Sequence, residues 1–329
     1  MTQSPESIPS GRHVRERSIL FIFVAFVLGF ALPVCSCFGL TVAAISSLSS
    51  IGGQTTGLPV ATSPAVAVIA LEGIITSQGD LYSQNITPEQ VSELLATAEA
   101  DPFVEAIVLR IDSPGGGVVA SDEIFRMLQQ IDMPIVVSMG SMAASGGYYI
   151  ACAADHVVAH PDTLTGSIGV IIEFPNVEGL LDKVGVEVIV LTAGEVKDIG
   201  SLYREITAEE VEIWEQIIDE AYEGFVSIVA EGRELSLERV RELADGRVYT
   251  GRQALEVGLV DEVGTLDIAI SKAAELAGIS GEPEIIELFI PYSFYDILSG
   301  YQTNSTLPLI QDMVSWGSFP SLEYRYAGP

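Results

Sequence analysis

Apolar positions fall in blocks along this chain, and the blocks differ in kind. The first runs from Ile19 to Ile45 without a charged residue, long enough to cross a bilayer with some tilt. Residues 46–64 are rich in Ser, Gly, Thr and Pro with no apolar period, which predicts a linker. Short continuous apolar runs then begin: AVAVIAL (65–71), VEAIVLRI (104–111) and PIVVSM (134–139), each the pattern of a buried strand. Between them lie helical stretches. Thr87-Pro88-Glu89-Gln90 supplies an N-cap, a proline at the first helical position and a capping-box partner for a helix to about Ala100. An amphipathic helix follows the glycines at 115–117 and runs to about Gln130. Strand and helix alternating at this spacing predict an α/β fold with parallel pairing through crossovers.

Further along, HVVAH (156–160) reads as a strand, and apolar runs recur at Ser167–Ile172 and Val186–Thr192 with a helical segment between them. The second of these runs is expected to be a buried strand. A long helix starts near Ala208, capped by Thr207 with Glu210 as its box partner, and a short extended piece at RVYTG interrupts the helical region that ends near Ala277. From Gly281 the chain is richer in aromatics and prolines, the profile of a packed-down extension or of a segment that docks on a neighbouring subunit. The division is therefore a head (1–18), an anchor (19–45), a linker (46–64), a folded domain (65–280) and an extension (281–329).

Charge sharpens this picture. Arg12, Arg15 and Arg17 stand just before the anchor, so the positive-inside rule puts the N-terminus in the cytoplasm and the bulk of the chain outside. The apolar run is too long for a signal-peptide core and no small-residue cleavage site closes it, so the anchor is expected to stay uncleaved. The net charge is −30, and the first 51 residues contribute +1 of it through three arginines against two glutamates, leaving −31 on the remainder. Such a surface excludes nucleic acid as partner and opposes flat binding to anionic lipid. Cys35, Cys37 and Cys152 are placed too poorly for a disulfide framework.

The candidate chemistry centres on VVSMGSMAASGGYYIACAA (136–154), where Ser145 sits between a strand-like and a helix-like run, surrounded by Ala143, Ala144, Gly146 and Gly147. Backbone can approach a substrate on both sides of that hydroxyl, and a helix start beside it suits an oxyanion. A tight helix start in a packed core uses the same composition. A base is scarce: outside the N-terminal region the histidines are His156 and His160, with Asp155 and Asp162 nearby, and the lysines are Lys183, Lys197 and Lys272. His156 and His160 lack the third ligand and the helical setting of a zinc site. Lys183 and Lys272 lie on amphipathic helices. Lys197 lies in a loop after an apolar run, where it serves either as a base or as an ordinary surface lysine. A lysine base must be neutral, so Glu195 and Asp198 have to point away from it. Gly115 to Gly117 offer backbone donors at the sheet rim or form a plain turn, and lack the spacing of a phosphate loop.

The motifs RIDSPGGG (110–117), VVSMGSMAASGGYYIA (136–151), TGSIGVI (165–171), KDIGS (197–201) and GRVYTGRQALEVGLVDEVG (246–264) occur in order, and together they resemble the signal peptide peptidase A family, peptidase family S49, in its short single-domain type. The resemblance covers about residues 65–277. It implies a ClpP/crotonase-like fold of repeated ββα units with a Ser/Lys dyad: Ser145 as nucleophile, Lys197 as general base, Ser167 supporting the lysine, and Gly115, Gly116 and Gly146 in the oxyanion region. Ser141 does not match the nucleophile position. It further implies a homo-oligomer, an octamer, with the dyad shared between protomers at the membrane, no cofactor or metal, and substrates that are cleaved signal peptides and other extended peptides with small or apolar residues. Two other readings use the same residues: a non-catalytic membrane ring scaffold, and a crotonase-type coenzyme-A enzyme, which would need neither Ser145 nor Lys197.

Overall fold

A computed structural model of the chain describes residues 61–79, 85–289 and 322–326. The expected anchor at 19–45 and most of the expected linker lie outside them. Among the described residues no helix is long and apolar enough to cross a membrane. The folded unit starts slightly before Ala65: Ala61 is buried, and its N–H donates to Asp101 at 2.8 Å.

The first three apolar runs become β1 (Ala65–Glu72), β4 (Val104–Ser113) and β6 (Ile135–Ala144). They pair in parallel as neighbours in one sheet, with β7 (His156–Ala159) and β10 (Glu262–Val263) beyond β6 and β11 (Glu284–Phe289) beyond β1. Continuous Val, Ile and Leu suit these strands because both faces are covered. On one face lie α1 (Pro88–Ala100), α2 (Val118–Leu128) and the long α5 (Ala208–Gly232), whose apolar side chains join Ile107, Leu109 and Val137 in the main core. On the other face α8 (Leu266–Ala277) buries Ala269, Ala273 and Ala274 against Val66, Val108 and Val136. The caps at Thr87 and Thr207 are both formed as reciprocal boxes with Gln90 and Glu210.

Three features depart from the pattern along the chain. First, β6 does not stop at Met139 but continues to Ala144, because β7 ends and β8 (Leu164–Gly166) takes its place beside Met142–Ala144. The Asp112 carboxylate holds this extension by accepting from the Ser141 and Met142 N–H groups at 3.0 Å each. Gly140 must be a glycine there, since a Cβ would stand 2.5 Å from an Asp112 carboxylate oxygen.

Second, the apolar run 186–192 is not a buried strand. It carries no strand, and Ile189 and Leu191 are 75% and 91% exposed. The short α4 (Glu178–Val184) before it buries nothing, and no residue from 169 to 209 is buried.

Third, the described pieces of the extension beyond residue 280 pair with strands of the folded domain. β11 extends the main sheet, and β12 (Glu323–Arg325) joins a second, small sheet with β5 (Gly115–Gly117), β2 (Ile74–Ile75) and β3 (Asn85–Ile86).

Candidate active site

Ser145 stands where β6 gives way to α3 (Gly146–Ala151), at the carboxyl end of a central parallel strand. Open parallel sheets display functional groups there. Its backbone is strained, with φ 53° and ψ −115°, a conformation that costs a non-glycine residue about 1–3 kcal/mol. Two hydrogen bonds fix it: the Ser145 N–H donates to the Gly166 carbonyl at 2.8 Å, and its carbonyl accepts from the Tyr149 N–H at 2.8 Å. The residue is buried, yet its hydroxyl makes no hydrogen bond among the described residues. α3 spans only six residues, so the donors beside the serine are individual amides rather than a long helix dipole.

Those amides are brought close by glycines. A Cβ on Gly115 would overlap the Tyr324 carbonyl oxygen and stand 2.5 Å from the Gly146 nitrogen; one on Gly146 would stand 3.2 Å from the Gly116 nitrogen. Gly115 is at φ +95° and Gly116 at +158°, so the turn needs residues without side chains. The Gly115 N–H is already used, donating to the buried Ser113 Oγ at 3.1 Å. The Gly116 N–H faces the Tyr324 carbonyl across the β5–β12 ladder, so it serves a ligand only in that carbonyl's place, and Gly146 is the other amide beside Ser145. Ser113 was not singled out by its sequence position; only the serine two residues before a glycine turn hints at such a local bond.

Ser167 is brought next to this corner. It follows Gly166, whose carbonyl holds Ser145, and it too has positive φ, 50°, with its N–H donating to Arg247 at 2.8 Å. Within the protomer no hydrogen bond joins Lys197 to Ser145. The lysine is exposed in the arm that precedes α5, its N–H donates to Gly194 at 3.3 Å, and its side chain has no hydrogen bond or ion pair among the described residues. Asp198 points to Arg204 instead, at 2.9 Å. Arg204 also grips Glu210, holding its carboxyl down at about 2.

The other bases are elsewhere. His156 pairs with Glu262 at 3.3 Å and aligns with Val136, eight residues before Ala144 on β6 and so roughly 26 Å along the strand. His160 is exposed, its Nδ1 accepting from the Asp162 N–H. Lys272 pairs with Glu275. Cys152 is buried, which pushes its thiol up to about 12 and leaves it inert. Among the described residues no cluster of His, Cys, Asp and Glu fits a metal ion.

Comparison with known proteins gives the family. The Peptidase family S49 model matches residues 127–280, and the Clp protease model matches residues 64–164. A putative protease of Synechocystis is 48% identical over 204 residues, covering 61% of this chain and 73% of that one. The chain belongs to peptidase family S49. A putative protease of Methanocaldococcus jannaschii is 40% identical over 219 residues, covering 64% of this chain and 69% of the relative. A putative signal peptide peptidase SppA of Enterococcus faecium is 37% identical over 216 residues, covering 64% and 63%. The S49 chain thus carries the ClpP-like α/β architecture of a serine-type protease, and the S49 match spans Ser145, Ser167 and Lys197.

Proposed function

We propose that this S49 protease is a membrane-anchored endopeptidase in which Ser145 attacks the peptide carbonyl and Lys197, supplied by a neighbouring copy, takes its proton. The observation that carries the reading is the unpaired Ser145 hydroxyl, held at positive φ beside the Gly116 and Gly146 amides. A serine hydroxyl becomes a nucleophile only when a neutral base accepts its proton. As the Oγ–C bond forms, the carbonyl oxygen gains negative charge, which the two glycine N–H groups stabilise. Collapse breaks the C–N bond, and the lysine returns the proton to the leaving amine. Water, deprotonated by the same lysine, then releases the acyl group. No metal or cofactor enters these steps.

The arm supports the shared dyad. Lys197 lies in a stretch whose Leu180, Val184, Ile189 and Leu191 are all more than half exposed, an apolar load that a lone protomer leaves in water. A second copy covering this arm would bury those side chains and bring Lys197 to the neighbour's Ser145. Repetition of that contact closes a ring, which we take to be an octamer. The apolar run at 19–45 anchors the ring, with the protease domains outside the cell, and cleaved signal peptides and other membrane-associated peptides are its substrates.

The test is hydrolysis of quenched signal-peptide substrates by the full chain in detergent micelles. Wild type should cleave them and Ser145→Ala should lose about a thousandfold or more in kcat. Undiminished cleavage by Ser145→Ala would end the assignment.

A further inference from the structure

No residue from 169 to 209 is buried, so the loop that carries Lys197 is placed more by polar contacts than by packing. Within the loop the Lys197 N–H donates to the Gly194 carbonyl at 3.3 Å and the Ser201 N–H to the Asp198 carbonyl at 3.0 Å. Arg204 ties this loop to the folded domain. Its guanidinium makes five hydrogen bonds, one for each of its N–H donors. Nε donates to the Asp198 carboxylate at 2.9 Å, Nη2 to the Asp198 carbonyl at 3.2 Å and to Glu210, and Nη1 to Glu210 at 2.9 Å and the Glu205 carbonyl at 3.1 Å. Glu210 is buried in the first turn of α5, where it also accepts from the Thr207 N–H at 2.9 Å. One arginine thus joins the residue after Lys197 to the start of the long helix.

The same clamp sets the charge beside the lysine. Asp198 is the next residue along the chain, and its carboxylate, turned towards the Lys197 amine, would favour the ammonium form and leave no lone pair for the Ser145 proton. Arg204 takes that carboxylate instead, and its hydrogen bond holds the Asp198 carboxyl below the usual range, so the group stays charged and paired. Other charges bear on the lysine less. Glu195 and Glu205 are exposed, where water and salt screen them, and Glu210 belongs to the arginine. At the Ser145 corner Asp112 accepts from the Ser141 and Met142 N–H groups, Asp245 pairs with Arg247, and Arg325 pairs with Glu173 and Glu323.

Resting on the shared-dyad reading above, we infer that Arg204 is a positioning residue for the general base: it fixes the Lys197 loop on α5 and withdraws the Asp198 carboxylate, so that the amine meets Ser145 unprotonated. Arg204 acts through Asp198 and not on the substrate. Arg204→Lys keeps the charge beside Glu210 but loses the planar fork that spans Asp198 and Glu210 together.

The test is the pH dependence of kcat/KM for a quenched signal-peptide substrate, with the full chain in detergent micelles. A lysine base works unprotonated, so the rate falls along an acid limb as pH drops. Arg204→Lys frees Asp198 and should move that limb about one pH unit towards alkaline pH, a loss of about tenfold on the limb that vanishes on the alkaline plateau. Adding Asp198→Asn to Arg204→Lys should bring the limb back. A limb that stays in place while the plateau falls makes Arg204 a structural residue and overturns the proposal. Because Arg204→Lys leaves the buried Glu210 less well paired and can fold poorly, Asp198→Asn alone gives an independent reading. Its limb should coincide with that of wild type, since the carboxylate is already withdrawn from Lys197; a move of about one pH unit towards acid overturns the proposal as well. Lys197→Ala separates the proposal from the reading beneath it. Cleavage by Lys197→Ala at the wild-type rate overturns both, whereas lysine-dependent cleavage with an unmoved limb in Arg204→Lys overturns the role of Arg204 alone.

Discussion

The Tyr324 carbonyl oxygen and the Gly146 amide nitrogen converge on the one point that a Gly115 Cβ would fill. A chain segment far away in sequence is thereby laid along the glycine turn next to the serine. The turn works as a site because three consecutive residues have no side chains, and Ser113 fixes the first of them.

The glycine turn therefore tolerates no Cβ. Gly115→Ala would drive a methyl group into the space shared by the Tyr324 oxygen and the Gly146 nitrogen, at a φ of +95° that alanine disfavours. We expect kcat to fall about a hundredfold or more while circular dichroism stays native, measured on a quenched peptide. Activity close to wild type would remove this turn from the site.

Ser113 acts through Gly115, as a positioning residue. Ser113→Ala leaves the buried Gly115 N–H without its acceptor. The expected result is a drop of about tenfold in kcat with KM little changed, and restoration by Ser113→Thr, which keeps the hydroxyl. A fall in melting temperature without any fall in kcat would make Ser113 a packing residue only.

Tyr324 occupies the track that an extended substrate would use, since the opposite edge of β5 is taken by β2. Tyr324→Ala should weaken the tail's hold and lower KM several-fold with kcat unchanged, because an intramolecular competitor acts on binding alone. Unchanged KM with a lowered melting temperature would assign Tyr324 to the core.

Acid stability should depend on the start of α5. The Arg204 guanidinium, by its hydrogen bonds, holds the Glu210 carboxyl at about 2, below its ordinary 4.5. A lowered carboxyl favours the folded state above 4.5, and that contribution disappears as pH falls from 4.5 through about 2. Urea unfolding of Glu210→Gln should show lower stability at pH 7 and a shallower loss over this window than wild type. Parallel pH profiles for the two proteins would rule the pair out as the cause.

Much of the scaffold was legible in the sequence. β1, β4 and β6 announced themselves as unbroken Val, Ile and Leu runs, and Thr87 and Thr207 announced two helices by side chains that cap locally. The site was legible as far as Ser145 and its flanking glycines, because small residues at a strand-to-helix junction leave a local signature. What failed to show depends on partners distant in the chain. Gly140 to Ala144 have little strand propensity and are held extended by Asp112 and β8. β12 pairs with β5 across more than two hundred residues, which no local pattern records. The run at 186–192 has the composition of a buried strand, but nothing among the described residues covers it.

The central claim is that Ser145 of one copy works with Lys197 of another. Co-expression of Ser145→Ala and Lys197→Ala full-length chains, followed by isolation of mixed assemblies, tests it directly through their hydrolysis of a quenched signal-peptide substrate. Each variant alone should be inactive. A dyad shared between neighbours in a randomly mixed ring restores about one quarter of wild-type activity, because one site in four joins an intact serine to an intact lysine. Mixed assemblies as inactive as the single variants would contradict a shared dyad.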